Sequence, residues 1–409
     1  MYRRRKVTPS ICFRPLSLRQ ALSQAASQPI SSKNCENESM PVPAHEISHQ
    51  VKAAAAEAGF DSAGIAGVGE FPELEYFPAW IAQGRGGEMA YLQARDEQGS
   101  LRRASLRSVA PWARSVMVCA LNYNTAQPYS TQVNDPNRGW ISRYAWSRRD
   151  YHNVVLQKLK QVEGKIRGWS AAGGENDGEK QMRTRAYVDT GPLVERVYAK
   201  YAGVGWIGKN TCIINQRLGS WLFLGVILSS LELAPDLPAP DRCGTCTRCL
   251  EACPTRALTA PYQLDSNLCI AYLTIEKRGA IPADMRAGMG RQVFGCDICQ
   301  DVCPWNRKAP ASSDPDFQPR SELVNPALEW LAEMKAEEFA ETFRGSPVRR
   351  AKLSGLRRNA VVAMGNSGDA KFISSLERLS SDPDAVVAEH AGWALAKVRT
   401  AQPESRKDG

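Results

Sequence analysis

Histidine is nearly missing: the 409 residues hold four, and only His152 and His390 lie outside the N-terminal region. That leaves little for haem or a mononuclear iron site, both of which draw on imidazole. Long apolar runs are missing too. The longest, Trp221 to Leu228, falls far short of the roughly 18 residues that cross a bilayer and reads as a buried strand. No G-x-G-x-x-G follows a strand, because Gly203-Val204-Gly205 reaches Gly208 only past Trp206, which would crowd a phosphate turn. No acidic residue precedes Glu36, and no apolar h-region follows Arg3-Arg4-Arg5, so a secretory signal is not expected.

Cysteine, by contrast, is concentrated. Of twelve, eight fall between residues 243 and 303. In a chain long enough for two or three domains this suggests reduced, metal-binding thiolates in a cytoplasmic setting rather than a disulfide scaffold. The net charge of +9 is less informative, because +5 of it lies within residues 1–39 and only +4 remains for the body.

Residues 1–39 lack hydrophobic periodicity. They resemble either an organelle-targeting presequence or a tail ahead of the functional start, for which Met40, followed by Pro41-Val42-Pro43, is the expected position. From about 45 to 235, helical stretches (Ile47 to Ala58, Tyr151 to Ile166) alternate with strand candidates at Val116 to Leu121, Ala186 to Asp189 and Trp221 to Leu228, an α/β pattern. A glycine-rich loop is expected at 173–178, and Ala234 to Pro240 reads as a proline-rich linker. After a polar stretch, Lys308 to Arg320, the chain turns helical. Arg358 to Met364 superposes on Glu389 to Leu395 with an offset of 31, suggesting stacked HEAT-type helix pairs, and Asp382-Pro383-Asp384 reads as an N-cap with proline at the first helical position.

Cys243, Cys246, Cys249 and Cys253-Pro254 form the C-x2-C-x2-C-x3-C-P run of two-cluster ferredoxins. Three closely spaced thiolates wrap one cubane, and the turn carries the fourth to the other. Cys296, Cys299 and Cys303-Pro304 repeat the second half of that run, and Cys269, 27 residues before Cys296, replaces the lost first cysteine. The crossed assignment gives Cys243, Cys246, Cys249 and Cys303 to one [4Fe–4S] cluster and Cys253, Cys269, Cys296 and Cys299 to the other. Structural zinc is the competing reading, but two C-x3-C-P endings fit it poorly.

Clusters move single electrons and need a partner site. Three stretches are dense enough to supply one: Ser142 to His152, Tyr187 to Arg196 and Gly203 to Asn210. With Arg103, Tyr272 to Gly279 and His390-Ala391-Gly392-Trp393-Ala394-Leu395, they resemble the epoxyqueuosine reductases over residues 45 to 400. The resemblance implies a multidomain α+β and α/β protein: a nitroreductase-like cobalamin-binding domain at 40–235, a ferredoxin-like module at 236–310 and a HEAT-like, tRNA-binding part at 311–400. It implies reduction of an epoxide on a tRNA base to an alkene, with Asp189 as proton donor, its pKa raised by burial against the corrin.

Arg103, Tyr151, His152, Asp189, Lys209, Asn210, Asn215 and Asp297 are carried over as cobalamin contacts. Asp150-Tyr151-His152 opens like a D-x-H-x-x-G motif but has Val155 in place of glycine, so a base-off cofactor without a histidine ligand is expected. Lys277, Arg278, Gly279, Arg357 and Arg358, with Arg349, Arg350 and Lys352, are the implied tRNA contacts. A low-potential electron donor and a monomeric, cytoplasmic enzyme complete the expectation. A reductive dehalogenase shares the cofactors but has no use for a helical-repeat end. An electron-transfer adapter would bind no corrinoid.

Overall fold

The computed structural model describes residues 44–172 and 182–402. The tail at 1–39 and the loop at 173–178 lie outside them. The described residues all fall in one compact unit.

Its centre is a four-stranded sheet in the order β1 (Ser62–Gly67), β2 (Ser115–Asn122), β7 (Leu222–Ser229) and β4 (Thr184–Tyr187), strands being numbered along the chain. Every pairing is antiparallel, whereas alternating helices and strands suggest a parallel sheet. The continuous apolar runs arise because both faces are covered. Met117, Cys119, Leu121, Phe223 and Ile227 face the helix Tyr151–Ala172, which contributes Val154, Val155, Leu159 and Val162. Val116, Val118, Ala120, Val226 and Leu228 face Val197, Tyr198 and Ala199 of the helix Glu195–Tyr201. Gly225 sets the first spacing, since a Cβ there would stand 2.8 Å from both Leu159 and Val155.

The segment 234–240 is a strap rather than a free linker. Asp236 pairs with Lys52 at 2.7 Å, accepts from the Ile65 amide at 2.9 Å and returns its own N–H to the Ile65 carbonyl. A second core crosses the boundaries read from sequence. Strand β3 (Trp140–Ile141) pairs in parallel with β10 (Gln292–Phe294). Both pack on Leu328, Leu331, Phe343, Leu356, Val361 and Met364 of the helical end. There the helices Lys352–Ser367 and Ala385–Ala401 meet closely at Gly365, where a Cβ would touch Ala394 at 2.8 Å. The cap of the last helix is Asp384, which accepts from the Val386 amide, and not Asp382, whose carboxylate pairs with Arg357. No helix among the described residues is long and apolar enough to cross a membrane.

Candidate functional site

The cysteine module folds as two similar turns, each a four-residue helix (Arg248–Glu251, Ile298–Asp301) running into a Cys-Pro pair. Cys243, Cys246, Cys249 and Cys303 line one cavity with Lys209, Asn210, Ile214, Arg248, Pro304 and Trp305. That is the first quartet of the crossed assignment. In the second, burial pushes the Cys296 thiol well up, and the charges of Cys269 and Cys253 add to it. Burial likewise raises Cys269. Bare thiolates are costly in such a place, and iron(II/III) on the sulfurs would offset the penalty. Among the described residues no three His, Cys, Asp or Glu converge on a single-ion site, as tetrahedral zinc would require.

The hairpin β5 (Trp206–Ile207) and β6 (Ile213–Ile214) leans on this module. Its glycines are steric necessities: a Cβ on Gly205 would meet the Ile214 carbonyl at 2.5 Å. Between the strands, Lys209 Nζ donates to the carbonyls of Gly244 (2.6 Å) and Cys246 (3.1 Å). Asn210 donates to the Cys299 carbonyl at 3.3 Å and accepts from the Cys212 amide. Both residues therefore reach the cluster loops. Asn215, carried over as a cofactor contact, instead ties its own turn, donating to the Val204 carbonyl and accepting from the amides of Arg217 and Leu218.

Asp297 is also corrected. It is 1 % exposed, and its oxygens accept from Trp140 Nε1 (2.9 Å), the Arg143 amide (2.8 Å) and the Ser142 hydroxyl. Burial raises its pKa against those hydrogen bonds. It fastens residues 140–143 between two cluster cysteines rather than facing a cofactor. Trp140 carries no motif and was not foreseen, and Arg143 fell within the Ser142 to His152 stretch without a role of its own. Arg143, 2 % exposed, donates to the carbonyls of Thr125, Gln127 and Pro128.

Asp189 lies just past β4, at φ 57°. For a residue with a Cβ this left-handed conformation costs on the order of 1–3 kcal/mol and needs outside support. Support comes from three sides. Glu195 Oε1 accepts the Asp189 amide at 2.8 Å, Arg103 donates to the Asp189 carbonyl at 3.4 Å, and the Tyr151 hydroxyl donates to Asp189 Oδ2. The carboxylate itself is 54 % exposed, so the chain alone does not bury it. Tyr151 is locked by stacking on Phe223 (4.2 Å, 2°) and on His152 (4.1 Å). Burial and then the Asp189 charge push its phenol far up, keeping it a donor.

Glu195, which sequence reading missed as a site residue, is 8 % exposed. Burial first, then the Asp189 charge, raises it well above the ordinary carboxylate range. His152 Nδ1 lies 2.7 Å from Asp150 Oδ1, and its Nε2 is 3.8 Å from Asp189 Oδ2. Burial lowers the imidazole pKa, but the Asp150 bond and charge outweigh it and the net direction is up. Tyr144 meets Tyr151 edge-on at 5.9 Å and Phe294 at 5.9 Å, two residues before Cys296. The Asp189 turn thus lies on the second cluster's side.

Tyr91, 45 % exposed, stands at the rim with the Arg103 and Arg350 guanidinium groups 5.8 and 5.5 Å from its ring. Near it Lys277 pairs with Glu88 and Arg350 with Glu276. Arg358 does not face solvent at all. At 1 % exposure it donates to the carbonyls of Lys277 (3.1 Å), Gly279 (2.7 Å) and Leu273 (2.8 Å) and to Asn359. Arg357 is paired with Asp382 at 2.5 Å and donates to the Ala332 carbonyl. These two arginines hold the 277–279 loop and the helix packing, leaving Arg278, Arg349, Arg350 and Lys352 as the exposed cations of that face.

Two cysteine quartets beside a turn that presents a carboxylate define a two-cluster iron–sulfur redox protein. Residues 242–306 match the model of a 4Fe-4S double cluster binding domain, and residues 103–190 match that of epoxyqueuosine reductase QueG, DUF1730. An epoxyqueuosine reductase of Xanthomonas campestris is 38 % identical over 352 residues, 85 % of this chain and 95 % of that one. One from Synechocystis is 44 % identical, covering 69 % of this chain and 92 % of its own. A crystal structure of epoxyqueuosine reductase with an epoxyqueuosine-modified tRNA-Tyr stem loop aligns at TM-score 0.74 and 30 % identity, over 86 % of this chain and 90 % of that one. The chain belongs to the epoxyqueuosine reductase family.

Proposed function

We propose that this chain reduces epoxyqueuosine in tRNA to queuosine, an alkene formed from an epoxide with two electrons, two protons and loss of water. The supporting observation is the Asp189 turn, strained yet held on three sides, on the flank of the second cluster quartet. The relative that holds a modified tRNA stem loop supports the substrate. Nothing comparable supports a dehalogenase.

The residues present fit a cobalamin. Nδ1 of His152 is held by Asp150 with Nε2 3.8 Å from Asp189, and the open carboxylate of Asp189 borders an aromatic floor of Tyr144, Tyr151 and Phe223. Arg103, Tyr151, His152 and Asp189 would hold it. When bound, the cofactor supplies a cobalt centre that collects electrons from the clusters and passes them to the epoxide. Asp189 carries the proton to the leaving oxygen, since alkoxide is a poor leaving group without one. Tyr151 orients the carboxylate, and Glu195 fixes its backbone.

Residues 40–235 form the cobalamin-binding part, with a nitroreductase-like sheet. Residues 236–310 form the ferredoxin-like module, and 311–400 a HEAT-like part that receives RNA with Lys277, Arg278, Gly279, Arg349, Arg350 and Lys352. A cytoplasmic monomer fed by a low-potential donor completes the reading. The test is anaerobic incubation of the enzyme, cobalamin, a reductant and epoxide-bearing tRNA. Loss of one oxygen mass from the nucleoside is expected, and an unchanged nucleoside with full clusters and bound cobalamin would overturn it.

A further inference from the structure

The two clusters differ in access. Around the second quartet, Cys269 and Cys296 pack against the buried side chains of Ile270, Tyr272, Leu273 and Ile281, and Tyr144 and Phe294 close the Asp189 side. The first lies under the surface loop 241–249, where Arg242, Gly244, Thr245, Thr247 and Arg248 are all exposed. Arg248 stands on the cavity wall, and three more cations adjoin lining residues in sequence: Arg242 before Cys243, and Arg307 and Lys308 shortly after Trp305. All four are exposed, and among the described residues none is in an ion pair. The two carboxylates of the loop are engaged locally: Asp241 accepts from the Cys243 amide and the Tyr262 hydroxyl, Glu251 from the Thr247 hydroxyl.

Beside the basic rim is an apolar element. Leu237 is 87 % exposed on the strap that Asp236 pins to β1, and Ala239 of the same strap packs with Cys243, Cys303 and Trp305 around Trp206 and Ile214. The strap that bears the exposed Leu237 is thus joined through Ala239 to the sulfur-lined cavity that Arg248 also lines.

We propose that this face is where an acidic one-electron carrier protein docks, delivering electrons to the first cluster for onward transfer to the second and to the Asp189 site. The proposal extends the functional reading by naming the donor's chemistry and its landing place. A small, transient, charge-steered contact suits a redox encounter, which works with little buried area. RNA is the less suitable occupant, because it would cover the first cluster while the Asp189 turn lies toward the second. In each encounter an anionic flavin hydroquinone would give up one electron to become the neutral semiquinone, and one [4Fe–4S]2+ cluster would take it up to become [4Fe–4S]1+.

The probe is an acidic flavodoxin in its hydroquinone form, mixed anaerobically with the cluster-loaded chain without tRNA and followed by cluster bleaching. With Arg242→Glu, Arg248→Glu, Arg307→Glu and Lys308→Glu combined, the second-order rate at low ionic strength should fall at least tenfold. Excess dithionite should still bleach the variant's clusters to the wild-type final extent, and the wild-type rate with flavodoxin should fall as salt is added. Arg114→Glu with Arg185→Glu, exposed elsewhere on the sheet body, should change the flavodoxin rate little. A charge-reversed face reduced by flavodoxin as fast as wild type would overturn the proposal. So would an equal loss in the Arg114 and Arg185 variant, or a face variant that lost tRNA stem-loop binding instead. If the four glutamates prevent cluster loading, Arg242→Gln with Arg248→Gln serves, a threefold or larger loss being expected and none being contrary. Because no tRNA is present, failure of the epoxide reaction leaves this outcome legible on its own.

Discussion

At Asp189 the backbone and the side chain have separate supporters, and the two can be varied independently. Glu195→Gln keeps an oxygen for the Asp189 amide, so single-turnover reduction should stay within about threefold of wild type. Glu195→Ala removes it and should slow the step tenfold or more, with tRNA affinity little changed. Asp189→Asn should abolish turnover while clusters and cobalamin still load, as read by visible spectra. Sequence placed Asp189 and Glu195 in one candidate stretch, but gave Asp189 a role only through family resemblance and Glu195 none, because nothing local to it shows that the helix start Glu195–Tyr201 is buried under the turn. Arg358 shows the opposite error. A basic pair reads as a phosphate contact, yet its guanidinium serves four oxygens inside the protein. Arg358→Met should cost about 3 kcal/mol, since buried carbonyls lose their donors at about 1–3 kcal/mol each. Thermal unfolding measures this. Arg349→Glu with Lys352→Glu should leave stability alone and weaken tRNA binding in a salt-dependent way.

Among the elements, β2 and β7 were legible because burial on both faces leaves an unbroken apolar run. Strand β1 was not, its sequence Ser62-Ala63-Gly64-Ile65-Ala66-Gly67 being poor in β-branched residues. Strand direction was equally hidden, since periodicity is blind to which neighbour a strand pairs with. The last helix shows what a motif can conceal. His390, 0 % exposed, accepts from the Ile281 amide at 3.1 Å and lies 2.7 Å from the Val386 carbonyl, so it pins Ala385–Ala401 to the loop after Gly279. Burial lowers its pKa to about 4, against the Val386 hydrogen bond and with the help of the Arg286 charge. Glu389 and Arg286 are the charged groups facing it. Above pH 6.5 the ring is neutral in both folded and unfolded chains. Below that the unfolded chain takes a proton that the native one refuses, so stability falls from pH 6.5 down to about 4 and then levels. The Tm of wild type should drop more steeply over this window than that of His390→Gln.

For the molecule as a whole, the eight cysteines were the most legible feature, because cluster ligation fixes residue type and spacing together. The cores shared across segments were the least, resting on strands of two and three residues. The apolar cluster beside the first quartet holds only Trp206, Ile214 and Cys303 as buried members, so iron and sulfur take the place of a larger core there. Cys269→Ser should lower iron from about eight to about four atoms per chain and end turnover. Stripping all iron should loosen 243–303 and, through Asp297, raise hydrogen exchange at 140–143 while the central sheet stays protected. That one carboxylate also sets a timetable for birth of the protein. Trp140 leaves the ribosome 157 residues before the Asp297 that secures it, a delay of roughly 8–30 s at about 5–20 residues per second. Until then the early segment has only the Arg143 bonds to residues 125–128, so the active pocket cannot be completed piece by piece, and its final setting has to wait for translation of both halves.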